Sequence, residues 1–282
     1  MSMRSRSFRT LGPAGFHRIA YTEWGDPGNP RVLVCVHGLS RNGRDFDEIA
    51  AALSDVYRVV CPDIVGRGES DYLTVKEFYD YKLYCSDMAT MVAATGAAEV
   101  DWIGTSMGGI IGMMLASLPN APIRRMVLND IGPVVAVEGL QRIAGYVGRD
   151  ARFPDFDTAF ATIRAVAKGF GPMTETQWRR FVEVQLRREA DGTYRLNYDP
   201  GIAWSLADAP KADIAMWELW DAIRAPVLVL RGGVSDLLRA DTVAEMQRRG
   251  PRCEAIEIEG IGHTPALVDA PQIEAVRRFL TA

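Results

Sequence analysis

The motif that can carry chemistry most directly is a serine between two glycines. Ser106 lies in Gly104-Thr105-Ser106-Met107-Gly108, directly after the apolar run 100–103 and just before the apolar stretch 110–115. A sharp turn between a strand and a helix can expose a serine only when small residues stand two positions before and after it, because the chain crosses itself closely there. The following helix also directs its free N-terminal amide groups towards an oxygen on which negative charge develops. We therefore predict that Ser106 is a nucleophile.

A serine hydroxyl is a poor nucleophile at neutral pH, so a base and an acid that orients the base are expected further along the chain. The sequence has three histidines. His17 lies in a candidate N-terminal strand, and His37 precedes Gly38 in an early loop. His263 lies in a glycine-flanked loop between the alternating segment 254–258 and the final helix. By elimination and by position, His263 is the predicted base.

Two aspartates are candidates for the acid. Asp236 follows the buried-strand run 226–230, and the order Ser106, Asp236, His263 matches a nucleophile, acid, base order known in hydrolases. Asp130 ends the strand candidate 126–130, and its alternative role is to cap the entrance to the next segment. We favour Asp236 and keep Asp130 as the alternative acid.

An oxyanion hole requires two backbone N–H groups that point to one place. The first is the amide of Met107, the residue after the predicted nucleophile. The second should come from the loop after the strand candidate 32–36, where a His37-Gly38 turn leads to the amide of Leu39. In this interpretation His37 braces the turn and carries no proton.

These motifs together resemble the α/β-hydrolase fold family, in its group of serine esterases, enol-lactonases and C–C hydrolases. Segment 63–70 matches the family's D-x-x-G-x-G-x-S loop, and segment 225–232 matches the strand that leads to the acid. The resemblance implies an α/β fold, with a mostly parallel central sheet flanked by helices and a helical cap inserted before the strand that carries the acid. Dehalogenases and epoxide hydrolases of this fold carry an aspartate where this chain has Ser106, so acyl transfer to water is favoured.

Strand and helix patterns alternate along most of the chain, but a long and mostly helical pattern interrupts them before the strand at 226–230. We predict a core domain formed by 1–132 and 223–282 and a helical cap formed by 133–222. The cap is rich in aromatic residues, and Trp204 is a candidate to line the substrate cavity.

Arg41 and Arg44 lie within a few residues of the predicted oxyanion amide of Leu39. Either guanidinium could hold a substrate carboxylate through paired N–H donors. The alternative is that they form ion pairs with Asp45 or Asp47, or face solvent. A carboxylate clamp would suit enol-lactones, C–C cleavage substrates or hydroxyalkanoate oligoesters.

The composition predicts a globular protein without a basic binding surface. With 48% hydrophobic and 24% charged residues, the chain can bury a large core, and its net charge of -4 argues against a nucleic-acid partner. The N-terminus lacks the apolar stretch of a secretory signal, and no apolar run reaches roughly 18 residues, so we expect a cytoplasmic protein without a membrane span. We expect buried thiols at Cys35 and Cys61, and we expect neither a metal ion nor an organic cofactor.

The sequence therefore predicts a carboxylesterase-like serine hydrolase that cleaves a small-molecule ester or lactone through an acyl-enzyme. C–C bond hydrolysis and cofactor-free perhydrolysis on the same three residues stay open as alternatives. A receptor that binds a small ligand without turnover is an alternative of another class. We also leave a homodimer open, because nothing in the sequence decides the oligomeric state.

Overall fold

The computed structural model describes residues 3–206 and 211–282. Strands in these residues are β1 (Arg4–Gly12), β2 (Gly15–Trp24), β3 (Val32–Val36), β4 (Arg58–Pro62), β5 (Val100–Thr105), β6 (Ile123–Asn129), β7 (Val134–Val135), β8 (Arg152–Phe153), β9 (Leu186–Arg188), β10 (Tyr194–Leu196), β11 (Ile214–Ala215), β12 (Val227–Gly232) and β13 (Cys253–Ile258).

Helices and strands alternate as predicted over most of the chain. The α-helices of the described residues are α1 (Asp47–Leu53), α2 (Tyr81–Thr95), α3 (Met107–Ala116), α4 (Val137–Ala144), α5 (Phe156–Val166), α6 (Glu175–Glu183), α7 (Trp217–Ala222), α8 (Ala240–Met246) and α9 (Ala270–Thr281). Four short 3₁₀ helices lie at Gly43–Phe46, Lys76–Phe78, Lys168–Phe170 and Pro200–Leu206.

Eight strands form the central sheet, in the order β1-β2-β4-β3-β5-β6-β12-β13. β1 pairs with β2 and β2 pairs with β4 antiparallel, whereas the pairs from β4 to β13 are parallel. The predicted mostly parallel sheet is therefore present. Because β3, β5, β6, β12 and β13 are parallel, their carboxyl ends meet at one edge of the sheet.

Side chains that alternate along each central strand pack on opposite faces of the sheet, as the two-residue period of a strand requires. Val34 and Val36 of β3 belong to a core cluster that includes residues of α2, α3 and α7. Leu33 and Cys35 belong to the cluster on the other face, with residues of α1 and α9. The predicted buried thiols at Cys35 and Cys61 are both present. Helices cover both faces, so the strands can be apolar along their whole length.

The insertion between β6 and β12 contains short strands in addition to the helices of the predicted helical cap. It contains a three-stranded sheet in the order β8-β10-β9, and the short strand pair β7 and β11. These strands have only two or three residues each, which is too short for a two-residue period to be visible in the sequence. At the predicted boundary, α7 packs against α3, and its Trp220 is fully buried in the main core.

No helix in residues 3–206 and 211–282 combines the length and the apolar character needed to cross a membrane.

Candidate active site

Ser106 occupies a strained turn between β5 and α3. Its backbone has φ 50° and ψ -114°, a left-handed region that residues other than glycine seldom adopt. A Cβ at Gly104 would lie 2.5 Å from the backbone carbon of Gly108, and a Cβ at Gly108 would lie 2.0 Å from the carbonyl oxygen of Val36. The glycines on both sides are therefore needed for the close crossing, which is the physical basis of the motif. Strain of this kind is characteristic of functional sites.

His263 lies against the hydroxyl of Ser106, as predicted. Its Nε2 is 3.0 Å from Ser106 Oγ, and its Nδ1 is 2.7 Å from Oδ2 of Asp130. The imidazole is mostly buried, with 9% of the side chain exposed. One ring nitrogen thus faces the serine and the other faces a carboxylate, which is the arrangement that a general base requires.

The carboxylate beside His263 belongs to Asp130, so our choice of Asp236 is wrong in the structure. Asp130 directly follows β6 and is fully buried, with φ 53°. Asp236 instead accepts two hydrogen bonds from Arg142 of α4, at 2.5 and 2.8 Å, and its side chain is 37% exposed. The Arg142 guanidinium holds the pKa of Asp236 below its ordinary value. The Asp236 carboxylate, which follows the predicted strand, thus forms an ion pair with Arg142 of the insertion.

The end of β12 and the loop after it contribute to the site through donors to Asp130. Gly232 N donates to Asp130 Oδ1 at 2.7 Å, and Ser235 Oγ donates to Oδ2 at 2.5 Å. With the contact from His263, this carboxylate has partners on both oxygens. Such donors compensate a buried carboxylate for the hydrogen bonds to water that it has lost. Sequence analysis overlooked Ser235, although its place one residue before Asp236 is a usable signal.

Asn129 links the loops that carry the three side chains. Its backbone oxygen accepts from Ser106 N at 3.1 Å, and its Nδ2 donates to Thr105 Oγ1 at 3.1 Å and to Pro265 O at 2.9 Å. The Asn129 side chain is buried, and its Oδ1 has no hydrogen-bond partner among the residues that the structure describes. It therefore ties the residue before Ser106 to the loop after His263. Sequence analysis treated Asn129 only as a strand residue.

The His37-Gly38 turn lies beside Ser106, and His37 braces it as predicted. His37 Nδ1 donates to Gly38 O at 2.7 Å, and Nε2 accepts from Ile64 N at 2.9 Å. Burial lowers the pKa of His37 to about 3, so the ring is neutral at ordinary pH. A Cβ on Gly38 would lie 3.7 Å from the Cβ of Ser106, which shows how closely the turn approaches.

The amides of Leu39 and Met107 are the predicted oxyanion hole. Within the part of the chain that the structure describes, neither amide donates to another protein group. Met107 is the first residue of α3, where backbone N–H groups have no partner inside the helix. Both amides therefore remain available to an oxygen beside Ser106, although the hole itself stays a prediction.

The residues predicted to bind substrate have other partners or lie at the surface. Arg41 donates to both carboxylate oxygens of Asp45, one at 2.6 Å, and its guanidinium stacks 4.0 Å from the ring centre of Phe181. Arg44 pairs with Asp47 at 2.6 and 2.8 Å. Trp204 is 53% exposed in the 3₁₀ helix Pro200–Leu206.

Because both guanidinium groups are already paired, we expect no selective carboxylate binding from Arg41 or Arg44. Arg41→Ala and Arg44→Ala should change kcat/KM for a neutral ester and for an ester acid of the same length by the same factor, within about threefold. Exposed Arg248 provides a control, as Arg248→Ala. A loss on the acid alone, of about tenfold or more, would restore the clamp hypothesis.

The insertion reaches the loop of His263. Gly262 N donates to Gly169 O at 2.8 Å, and a Cβ on Gly171 would lie 2.7 Å from Ile261 Cδ1. The insertion therefore covers the carboxyl edge of the sheet near His263. Such a cover excludes water from a reacting group.

Comparisons with known proteins agree with this geometry. A sequence model described as the alpha/beta hydrolase fold matches residues 31–270. The chain belongs to the alpha/beta hydrolase fold family. The predicted family and fold are therefore confirmed.

Individual members of the family resemble the chain over nearly its whole length. A 3-hydroxybutyrate-oligomer hydrolase from Cupriavidus necator is 46% identical over 280 residues, which cover 96% of this chain and 95% of that protein. Among solved structures, a putative hydrolase from Rickettsia typhi has a TM-score of 0.91 at 30% identity, and the match covers 100% of this chain and 99% of that one. An alpha/beta hydrolase from Novosphingobium aromaticivorans has a TM-score of 0.88 at 36% identity, covering 99% and 98%.

Proposed function

We propose that this alpha/beta hydrolase cleaves carboxylic esters through an acyl-enzyme on Ser106, with His263 as base and Asp130 as acid. The observation that carries the proposal is that His263 spans Ser106 Oγ and Asp130 Oδ2 at 3.0 and 2.7 Å. Serine attack on a carbonyl requires removal of the hydroxyl proton, and a histidine oriented by a buried carboxylate supplies that function.

In the first step, His263 Nε2 takes the proton of Ser106 as Oγ attacks the ester carbonyl. Asp130 holds the Nδ1–H tautomer and stabilises the imidazolium that forms. The amides of Leu39 and Met107 donate to the oxyanion, and His263 then protonates the leaving alcohol. In the second step, His263 removes a proton from water as the water oxygen attacks the acyl-enzyme carbonyl. His263 then returns this proton to Ser106 Oγ as the bond to the acyl group breaks and the acid is released.

For the substrate, we propose an oligoester of 3-hydroxybutyrate. Support comes from the 46% identity, over nearly the full length of both chains, to a protein named as a 3-hydroxybutyrate-oligomer hydrolase. Each ester bond in such an oligomer joins a carboxyl group to a secondary alcohol. In the two steps above, the alcohol is the leaving group of the first step and the carboxylic acid is released in the second.

The test compares the dimer and trimer of (R)-3-hydroxybutyrate with p-nitrophenyl esters of increasing acyl length. We expect release of the 3-hydroxybutyrate monomer, measured by chromatography. The kcat/KM for the oligomers should be at least about tenfold above the kcat/KM for p-nitrophenyl butyrate, after correction for the better leaving group of p-nitrophenyl butyrate. Release of p-nitrophenol without release of 3-hydroxybutyrate would retain the esterase and reject the oligomer. Inactivity on both series would reject ester hydrolysis and favour a lactone, C–C bond or receptor function.

A further inference from the structure

Arg67 is a buried cation without an acidic partner. Its exposed fraction is 0%, and no carboxylate of the described residues lies within 4.0 Å of its guanidinium. Buried charges in proteins are normally paired, because loss of water around a lone ion is costly. A charge buried without a counter-ion therefore requires a reason beyond stability.

The guanidinium makes its contacts with neutral groups. Nε donates to Leu39 O at 2.8 Å, Nη1 donates to Val65 O at 2.7 Å and to Tyr84 Oη at 3.0 Å, and Nη2 lies 3.6 Å from Met107 Sδ. The guanidinium carbon is also 4.9 Å from the centre of the Tyr84 ring, a distance at which a cation is attracted to the aromatic face.

Two of these partners are the residues whose amides form the predicted oxyanion hole. Leu39 comes from the loop after β3, and Met107 comes from the first turn of α3. Arg67 is thus in contact with the carbonyl oxygen of Leu39 and the sulfur of Met107, on the two separate segments that supply the amides of the predicted hole.

The loop that carries Arg67 is held in place on both sides. Gly66 and Gly68 have φ 84° and 54°, and a Cβ at Gly68 would lie 2.2 Å from Asp63 Oδ2. From the insertion, Asn197 O accepts from Gly68 N at 2.9 Å, and Asp199 N donates to Gly66 O at 2.8 Å. The guanidinium therefore has a fixed position under the insertion.

We propose that Arg67 is a positioning residue for the oxyanion hole and that its unpaired charge stabilises the oxyanion. The proposal rests on the acyl-transfer function above. In the resting enzyme no carboxylate of residues 3–206 and 211–282 pairs with this charge, whereas the tetrahedral intermediate creates an anion beside Leu39 and Met107. Charge held in a water-excluded site acts strongly and needs no reorganisation when the anion forms. The effect should appear in kcat more than in KM, because the ester ground state is neutral.

The experiment measures kcat, KM and the inhibition constant of butylboronic acid, whose adduct on Ser106 is an anionic tetrahedral mimic. For Arg67→Met we expect kcat to fall about 100-fold and boronate affinity to fall in parallel, with KM within about threefold of wild type. Arg67→Lys keeps the charge but loses the fork of donors, so we expect a kcat loss of about tenfold. Arg58→Met is the control, since Arg58 is partly buried at the opposite end of β4 and also donates to a backbone carbonyl.

Several outcomes would overturn the proposal. The first is an Arg67→Met variant with wild-type kcat and wild-type boronate affinity. The second is an equal loss of substrate affinity and boronate affinity in this variant, because a merely structural role of Arg67 predicts equal losses. If Arg67→Met does not fold, the proposal is tested with Arg67→Lys, by the same comparison of the loss of boronate affinity with the change in KM. These results leave the proposed function intact if wild type hydrolyses esters and Ser106→Ala does not. A wild type without ester hydrolysis would overturn both.

Discussion

Replacement of Ser106 by alanine is expected to lower kcat for ester hydrolysis by roughly 10⁵- to 10⁶-fold, because removal of the nucleophile leaves only binding and the oxyanion amides. The protein should remain folded, since the hydrogen bond of Ser106 Oγ is to the His263 side chain and alanine can occupy the same small space. Ester hydrolysis and thermal unfolding of the two proteins test this expectation.

A second serine, at the other end of α3, provides the matched control. Ser117 directly follows α3 and its hydroxyl donates to Met114 O, so Ser117→Ala should keep wild-type kcat. A fluorophosphonate probe should label the wild type and Ser117→Ala once per chain, as measured by intact mass, and should not label Ser106→Ala. Activity of Ser106→Ala within about 100-fold of wild type would contradict a serine nucleophile.

Asp130→Asn should lower kcat by about 10³- to 10⁴-fold, whereas Asp236→Asn should stay within about threefold of wild type. An asparagine at position 130 can keep the hydrogen bond from Gly232 N only if its side-chain oxygen faces Gly232. Its NH2 group then faces His263. It would then donate to Nδ1 and fix the tautomer whose Nε2 carries hydrogen, which cannot accept the proton of Ser106. The reversed asparagine would place two N–H donors against each other at Gly232.

The two substitutions are matched controls for each other. Both replace a carboxylate with an amide, but Asp236 loses only a half-exposed ion pair with Arg142. Steady-state kinetics, with circular dichroism of each variant, separate the two positions. A larger loss from Asp236→Asn, or equal losses, would contradict Asp130 as the acid.

The contrast between these aspartates shows where sequence reasoning stopped. Both follow strands whose carboxyl ends lie at the same sheet edge, and both precede His263 in the chain. β6 and β12 are neighbours in the sheet, so either strand could present an acid to the histidine loop. The choice depends on the left-handed backbone of Asp130 and on the donors at Gly232 and Ser235, which come from a segment about a hundred residues away.

Arg41 and Arg44 illustrate the opposite case. Their partners Asp45 and Asp47 stand four and three residues later, so the ion pairs were visible in the sequence as an alternative. The structure determines which alternative holds, since Arg41 also packs on Phe181 of the insertion. Local spacing indicates which pairs can form, but tertiary packing decides which pair does.

The sequence by itself determined the features that depend on local rules. The strained turn of Ser106 needs glycine two residues before and after it, and the buried parallel strands need continuous apolar runs, so the motif and the sheet could both be predicted. The choice of the carboxylate beside His263, the small sheet in the insertion and the contacts of Arg67 were decided only by the tertiary structure. Each of these features depends on groups that the fold brings together from distant segments. The residue types in those segments could pair with several different partners, so the sequence does not indicate which pair forms.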